Sequence, residues 1–170
     1  MTWRALLLRV SSIGVLLTLA SGAWSDMVVQ VRAEGKLDGA VVVARSLTVN
    51  PAPSERPVEA VMVQANRQFV PYILPVPMNV PVSFPNQDNT AHHVYSFSPV
   101  GSFELPLYKG DAPAPIVFTK PGVVPLGCNI HDWMIGSLFV VESPWYMQLE
   151  NNTGAFTDLP PGQYEFTLWH

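Results

Sequence analysis

The chain has 170 residues, 48% of them hydrophobic and 13% charged, with nine Lys and Arg against thirteen Asp and Glu and a formal net charge of −4. That length suits an ordinary domain able to bury a core, while the acidic balance excludes the basic footprint expected of a nucleic-acid or anionic-membrane binder. A single cysteine excludes an internal disulfide framework, and seventeen prolines with eleven glycines argue against long helices.

At the N-terminus, Arg4 and Arg9 precede an apolar stretch from Val10 to Ala20, and small residues follow at Ser21, Gly22, Ala23 and Ser25. This order reads as a secretory signal peptide over residues 1–25. The apolar run is about half of the ~20 residues that a spanning helix needs, and no later run is longer, so the mature chain is expected to have no membrane span. Removing Arg4 and Arg9 leaves seven basic against thirteen acidic residues, a formal charge of −6. The expected fate is export. An unpaired thiol is a liability in an oxidising compartment, so Cys128 needs a chemical reason to be there.

From residue 26 onward the pattern is all-β. Short runs rich in Val, Phe and Tyr, without a 3.6-residue apolar period, predict strands at 27–32, 40–44, 58–64, 81–84, 92–97, 115–119, 123–128 and 137–141. Such spacing suggests a sandwich or barrel. Residues 50–57 are Pro-rich and polar and read as a surface loop. Lys120-Pro121-Gly122 is a turn signal leading into the strand that ends at Cys128. Val124, Leu126 and Cys128 share one face of that strand, placing the thiol with the core hydrophobes. Pro125 lacks a ladder donor, which predicts pairing on one side only at that point. Residues 152–170 alternate apolar and polar around Pro160-Pro161-Gly162, as a C-terminal β-hairpin would. The expected organisation is therefore one β domain over 26–142 and a β appendage over 143–170.

The chemistry concentrates in Cys128-Asn129-Ile130-His131-Asp132-Trp133-Met134, where a thiol, an imidazole and a thioether stand three residues apart. These are the donors that soft copper selects; blue-copper sites combine one Cys and two His with a weak axial Met. A second histidine comes from His92-His93, after the turn-like stretch 85–89. A buried inert cysteine is the bland alternative, and the spacing of His131 and Met134 speaks against it. Zinc on Cys128, His131 and His92 is chemically possible, and Met134 argues for copper instead. Cys128, His131 and Asp132 lie too close in one turn to form a hydrolytic triad. A dinuclear copper centre would need a second cysteine, and a c-type haem would need Cys-x-x-Cys-His. No catalytic residues are assigned, and the chain does not read as an enzyme. Asn151-Asn152-Thr153 matches a glycosylation sequon but reads as a turn, and His170 is not assigned as a ligand.

Phe84-Pro85-Asn86-x-Asp88, His92-His93-Val94-Tyr95-Ser96, Phe103-x-Leu105-x-Leu107-Tyr108 and Pro121-Gly122-Val123-Val124, followed by Cys128-x-x-His131-x-x-Met134-x-Gly136, together resemble the cupredoxin family. The likeness is greatest to periplasmic plastocyanin-like proteins labelled methylamine-utilisation proteins; Gln64-x-Asn66-x-x-Phe69-x-Pro71 also fits. The two-residue gaps around His131 are similar to those of amicyanin. The resemblance implies a Greek-key β-sandwich and one type 1 copper ion held by His92, Cys128, His131 and Met134. His92 takes the place of the family's first histidine because His92-His93-Val94 stands where His-Asn-Val is usual. His93 then departs from the pattern, at a position whose backbone amide usually donates to the copper-bound sulfur. The loop also lacks the prolines that many relatives carry beside the ligand histidine. The implied function is single-electron transfer between periplasmic redox partners, for instance a c-type cytochrome or a periplasmic oxidoreductase, with His131 as the electron's exit. The alternative is a non-redox secreted β-domain binding copper or carbohydrate. The tail resembles the end of carboxypeptidase-regulatory-like β modules.

Overall fold

Runs of Val, Phe and Tyr between prolines and glycines fold here as the strands they favour. A computed structural model describes residues 15–20, 27–48, 50, 57–110 and 113–170. Among the described residues there is no helix. The strands are β1 (Val15–Ala20), β2 (Met27–Ala33), β3 (Val41–Ser46), β4 (Ala60–Val61), β5 (Val63–Ala65), β6 (Gln68–Val70), β7 (Ile73–Pro77), β8 (Pro81–Ser83), β9 (His92–Ser98), β10 (Gly101–Tyr108), β11 (Ile116–Val117), β12 (Gly122–Gly127), β13 (Ile135–Val141), β14 (Trp145–Gln148), β15 (Thr153–Leu159) and β16 (Tyr164–Trp169). No described helix is long and apolar enough to cross a membrane.

Residues 54–144 form one compact unit. Its larger sheet runs in the order β10-β9-β12-β13-β7, all antiparallel except the parallel β13–β7 edge, and its smaller sheet runs β11-β8-β4. The inner faces meet in a single core that includes Val82 of β8, Val94 of β9, Val124 and Leu126 of β12 and Leu138 of β13, each at most 3% exposed. This is the β-sandwich anticipated from the sequence. Val124, Leu126 and Cys128 all lie in that core, as strand alternation requires. β12 pairs with β13 over its whole length but with β9 only at Gly127, so Pro125 has a ladder partner on one side alone.

The single strand expected over 58–64 is two. β4 pairs with β8 and β5 with β6, with fully buried Met62 between them, so the chain changes partners at a sandwich corner. Two strands were hidden by proline. β7 carries Pro75 and Pro77 and is tolerated as an edge, and β10 carries Pro106 within a register shift between Leu105 and Tyr108.

Residues up to Pro53 and from Trp145 to His170 form the second unit. Here the expected division into 26–142 and 143–170 is corrected by strand pairing. β2 and β3 do not join the 54–144 sandwich; β2 pairs with β15, and β3 lies between β14 and β16. Val29, Val31, Val42, Leu149, Phe156 and Leu159 close a separate core. Because β14 pairs antiparallel with β3, residues 54–144 are an insertion into what would otherwise be a β3–β14 hairpin. The C-terminal hairpin is corrected as well. β15 and β16 flank Pro160-Pro161-Gly162, yet each enters a different sheet. An isolated two-stranded ribbon is marginal in water, and pairing with β2 and β3 places Phe156, Leu159 and Tyr164 in a core. The leader expected over 1–25 lies largely outside the described residues, and its described part, β1, pairs antiparallel with β2. The 50–57 loop also lies mostly outside them.

Candidate metal centre

Strand parity decides which of two adjacent histidines faces inward. In β9 the side chains of His92, Val94, Ser96 and Ser98 are buried on one face, whereas His93, itself buried at 8% exposure, shares the opposite face with Tyr95 and Phe97. His92 is fully buried and stands beside the loop that follows β12, with its ring 5.0 Å from that of His131. Candidate donor atoms of His92, Cys128 and His131 all lie within 4.8 Å of one another, and this is the one such cluster among the described residues. Cys128 Sγ and His131 Nδ1 are 3.9 Å apart. For metal bonds of about 2.3 Å to thiolate and 2.0 Å to imidazole, two donors at a trigonal angle sit roughly 3.7 Å apart. The thiol and imidazole are already at that spacing.

The nitrogen that His92 offers is set by Asp88, which the sequence motif included without a role. His92 Nε2 lies 2.8 Å from Asp88 Oδ2. An ionised carboxylate only accepts, so Nε2 carries the proton and donates, which leaves the lone pair on Nδ1. Nδ1 is buried and has no hydrogen-bond partner. A buried acceptor without a partner costs about 1–3 kcal/mol, and a metal ion is the partner that an imidazole lone pair beside a thiol suits. The carboxylate–histidine pair is the arrangement that orients metal-binding imidazoles.

Asp88 is itself built into place. Asn86 Oδ1 accepts from the Asp88 amide at 2.9 Å, while Asn86 Nδ2 donates to the carbonyls of Thr90 and Tyr108, so the 86–90 turn is closed by its own side chain. The carboxylate also accepts from the amides of Asn66 and Arg67, at 2.7 and 2.8 Å. Those two residues form the β5–β6 turn and both have positive φ, 55° and 58°. Non-glycine residues adopt that conformation at a cost of about 1–2 kcal/mol each, which the carboxylate offsets. Burial opposes the charge of Asp88, but the hydrogen bonds from Arg67, His92 and Asn66 outweigh it and hold its pKa below the ordinary value of 3.8. Beneath this turn Gln64 Nε2 donates to the Phe84 carbonyl at 2.8 Å and to the Tyr108 hydroxyl, which donates to the same carbonyl. Burial raises the Tyr108 pKa to about 12, partly countered by Gln64.

Met134 is 1% exposed and shares the core of Cys128. Its amide donates to the carbonyl of His131 at 2.9 Å, closing the ligand loop. His93 is outside the cluster, with Nε2 donating to Glu104 Oε1 at 2.8 Å and its ring 5.6 Å from that of Tyr95. Trp133, 65% exposed, has its ring 5.3 Å from that of His131 in a tilted contact, and Ile130 on the same loop and Ile135 at the start of β13 are exposed.

No family model matches the sequence, and no curated protein matches it. Solved structures do. A copper-containing nitrite reductase from Thermus scotoductus is 26% identical over 58% of this chain with a TM-score of 0.47, and the chain spans 25% of that protein's length. A purple cupredoxin from Nitrosopumilus maritimus is 25% identical, with 49% of this chain and 100% of that one covered and a TM-score of 0.43. An amicyanin variant in its Cu(I) form is 21% identical, with 49% and 83% covered and a TM-score of 0.45. At these scores the likeness decides nothing about the metal, which is argued from the donor atoms. The cluster of one buried thiol, one buried imidazole with a free lone pair and a second imidazole at the loop apex fits a type 1 copper site.

Proposed function

We propose that the chain is an exported single-electron carrier with one type 1 copper site, held by His92 Nδ1, Cys128 Sγ and His131 Nδ1, with the thioether of Met134 as a weak axial donor. The observation that carries this reading is that His92, whose donor lies within 4.8 Å of those of Cys128 and His131, keeps a buried Nδ1 with no hydrogen-bond partner. Copper bound there would supply a one-electron couple that both oxidation states tolerate with little movement of the ligands. The protein's own part is to fix the donors beforehand. Asp88 locks the His92 tautomer, β12 delivers Cys128 from a rigid sheet, and the His131–Met134 backbone bond closes the loop. Apolar surroundings exclude water from Cys128 and influence the potential.

Exposed Trp133, Ile130 and Ile135 around His131 support a second element of the proposal, brief docking of a redox partner such as a c-type cytochrome or a periplasmic oxidoreductase. The basic, apolar and small-residue order of 1–25 supports periplasmic delivery. Voltammetry of the copper-loaded protein tests the function. A reversible one-electron wave is expected. A protein that binds copper without such a wave would be the non-redox binding domain instead. The intact mass of the exported protein tests the leader, with loss of residues up to Ala23 or Ser25 expected.

A further inference from the structure

The leader pairs with the sheet that it leaves behind. β1 runs antiparallel to β2 over six consecutive residues, from Ala20 opposite Val28 to Val15 opposite Ala33, and β2 holds β15 on its other side. Either cut proposed above, after Ala23 or after Ser25, removes β1 entirely and leaves β2 whole from Met27 onward. Export therefore turns β2 from a central strand into an edge. Its freed row of amides and carbonyls is unbroken: no proline stands between Met27 and Ala33, the register with β1 has no bulge, and Arg32 is the one charged residue of the strand. Sheet edges are ordinarily blunted by bulges, charges or proline. The opposite edge of this sheet is blunted, because β15 carries an extra residue between Phe156 and Leue159, with Asp158 in the irregular stretch. An open edge of this kind accepts an added strand through main-chain hydrogen bonds.

We propose that, once the leader is off, the β2 edge takes the β2 strand of a second copy of this chain, so that the exported protein is a two-fold dimer. The proposal rests on the leader reading above. A two-fold axis across a strand edge sets the two strands antiparallel, the direction in which β2 already accepts β1. With Gln30 on the axis all seven residues of β2 pair, Val29 lying opposite Val31 of the second copy and Val28 opposite its Arg32. Val29 and Val31 belong to the core of their unit, while Gln30 and Arg32 are exposed on the other face. This register therefore sets apolar side against apolar side and places no like charges opposite each other. Arg32 on the axis would face its own copy. Pairing β2 with β15 of a neighbour would add copies without end, and the irregular stretch in β15 opposes it. Pairing β2 with β2 closes after two.

The test uses the exported protein as purified, with its N-terminus read by intact mass and its association by sedimentation equilibrium. Wild type that has lost residues up to Ala23 or Ser25 should show a concentration-dependent dimer. Gln30→Lys and Gln30→Glu each set like charges against each other on the axis, at an exposed position that leaves the core untouched. Each should weaken the dimer roughly fivefold, the scale of one cross-strand charge pair. Mixed in equal amounts, the two variants should associate at least as tightly as wild type, because an ammonium then faces a carboxylate. Processed wild type that stays monomeric, or a dimer that neither substitution weakens, overturns the proposal and leaves the leader and copper readings standing. Weakening by both substitutions without recovery in the mixture also overturns it, since damage to β2 and not lost pairing would then be the cause. An intact mass that still begins at Met1 defeats the leader reading and this inference with it.

Discussion

The two units of this chain are both built from packed β-sheets, yet they bury different things. Every buried polar or charged residue described, namely Gln64, Asn86, His92, His93, Ser96 and Ser98, belongs to residues 54–144. The core of the other unit is drawn from Val, Ala, Leu, Phe and Tyr side chains. Burying polar groups costs free energy unless each finds a partner. In 54–144 many of those partners are found by closing the 86–90 turn and stacking Gln64 and Tyr108 beneath it; Gln64 Oε1 and the Nδ1 atoms of His92 and His93 are left without one, and of these residues only His92 belongs to the cluster with the thiol. The contrast assigns chemistry to the inserted unit and plain packing to the unit that receives it.

The largest expected effect breaks that contrast at its centre. His92→Ala removes an inward donor and should abolish tight copper binding in a competition titration, whereas His93→Ala, on the other face of β9, should leave the copper spectrum in place. The reverse result would put the strand parity in error. In the receiving unit, Leu159→Ala empties fully buried volume and should cost about 2–5 kcal/mol in denaturant unfolding of that unit. The copper spectrum should not change, and a change would show that the two units do not divide the work as argued. Asp88→Ala sharpens the comparison, because it removes the acceptor that fixes the His92 tautomer and holds the 66–67 turn. A loss of about 10- to 100-fold in copper affinity is expected, and an unchanged affinity would make the Asp88–His92 bond incidental. The smallest effect is that of Met134→Leu, a swap that keeps volume. Copper should stay bound and the midpoint potential should rise by some tens of millivolts, where about 59 mV is a tenfold change for one electron. An unchanged potential would mean that Met134 is core and nothing more.

What could be read from the sequence was what lies close along the chain. Cys128, His131 and Met134 share one loop, so their spacing exposed the centre directly. His92 was separable from His93 by the family pattern, and the structure adds the parity of β9. Asp88 stood in the family motif but carried no role, because that role depends on a turn at Asn66 and Arg67 brought up by tertiary packing, and a carboxylate in a polar loop gives no periodic signal. The insertion was equally hidden. β3 and β14 are adjacent only after residues 54–144 have folded away, and no local propensity records which distant strand a β-run will join. The apparent hairpin at Pro160-Pro161 misled for the same reason, since alternation predicts strands but not their partners.

The central claim is that a thiolate and two imidazoles in this unit bind copper together, and the visible absorption spectrum of the protein loaded with copper(II) tests it most directly. A thiolate bound beside two imidazoles gives an intense charge-transfer band near roughly 600 nm, which should be present in the wild type and absent from Cys128→Ser. A colourless copper(II) protein, or a band that survives the loss of Cys128, would contradict the account.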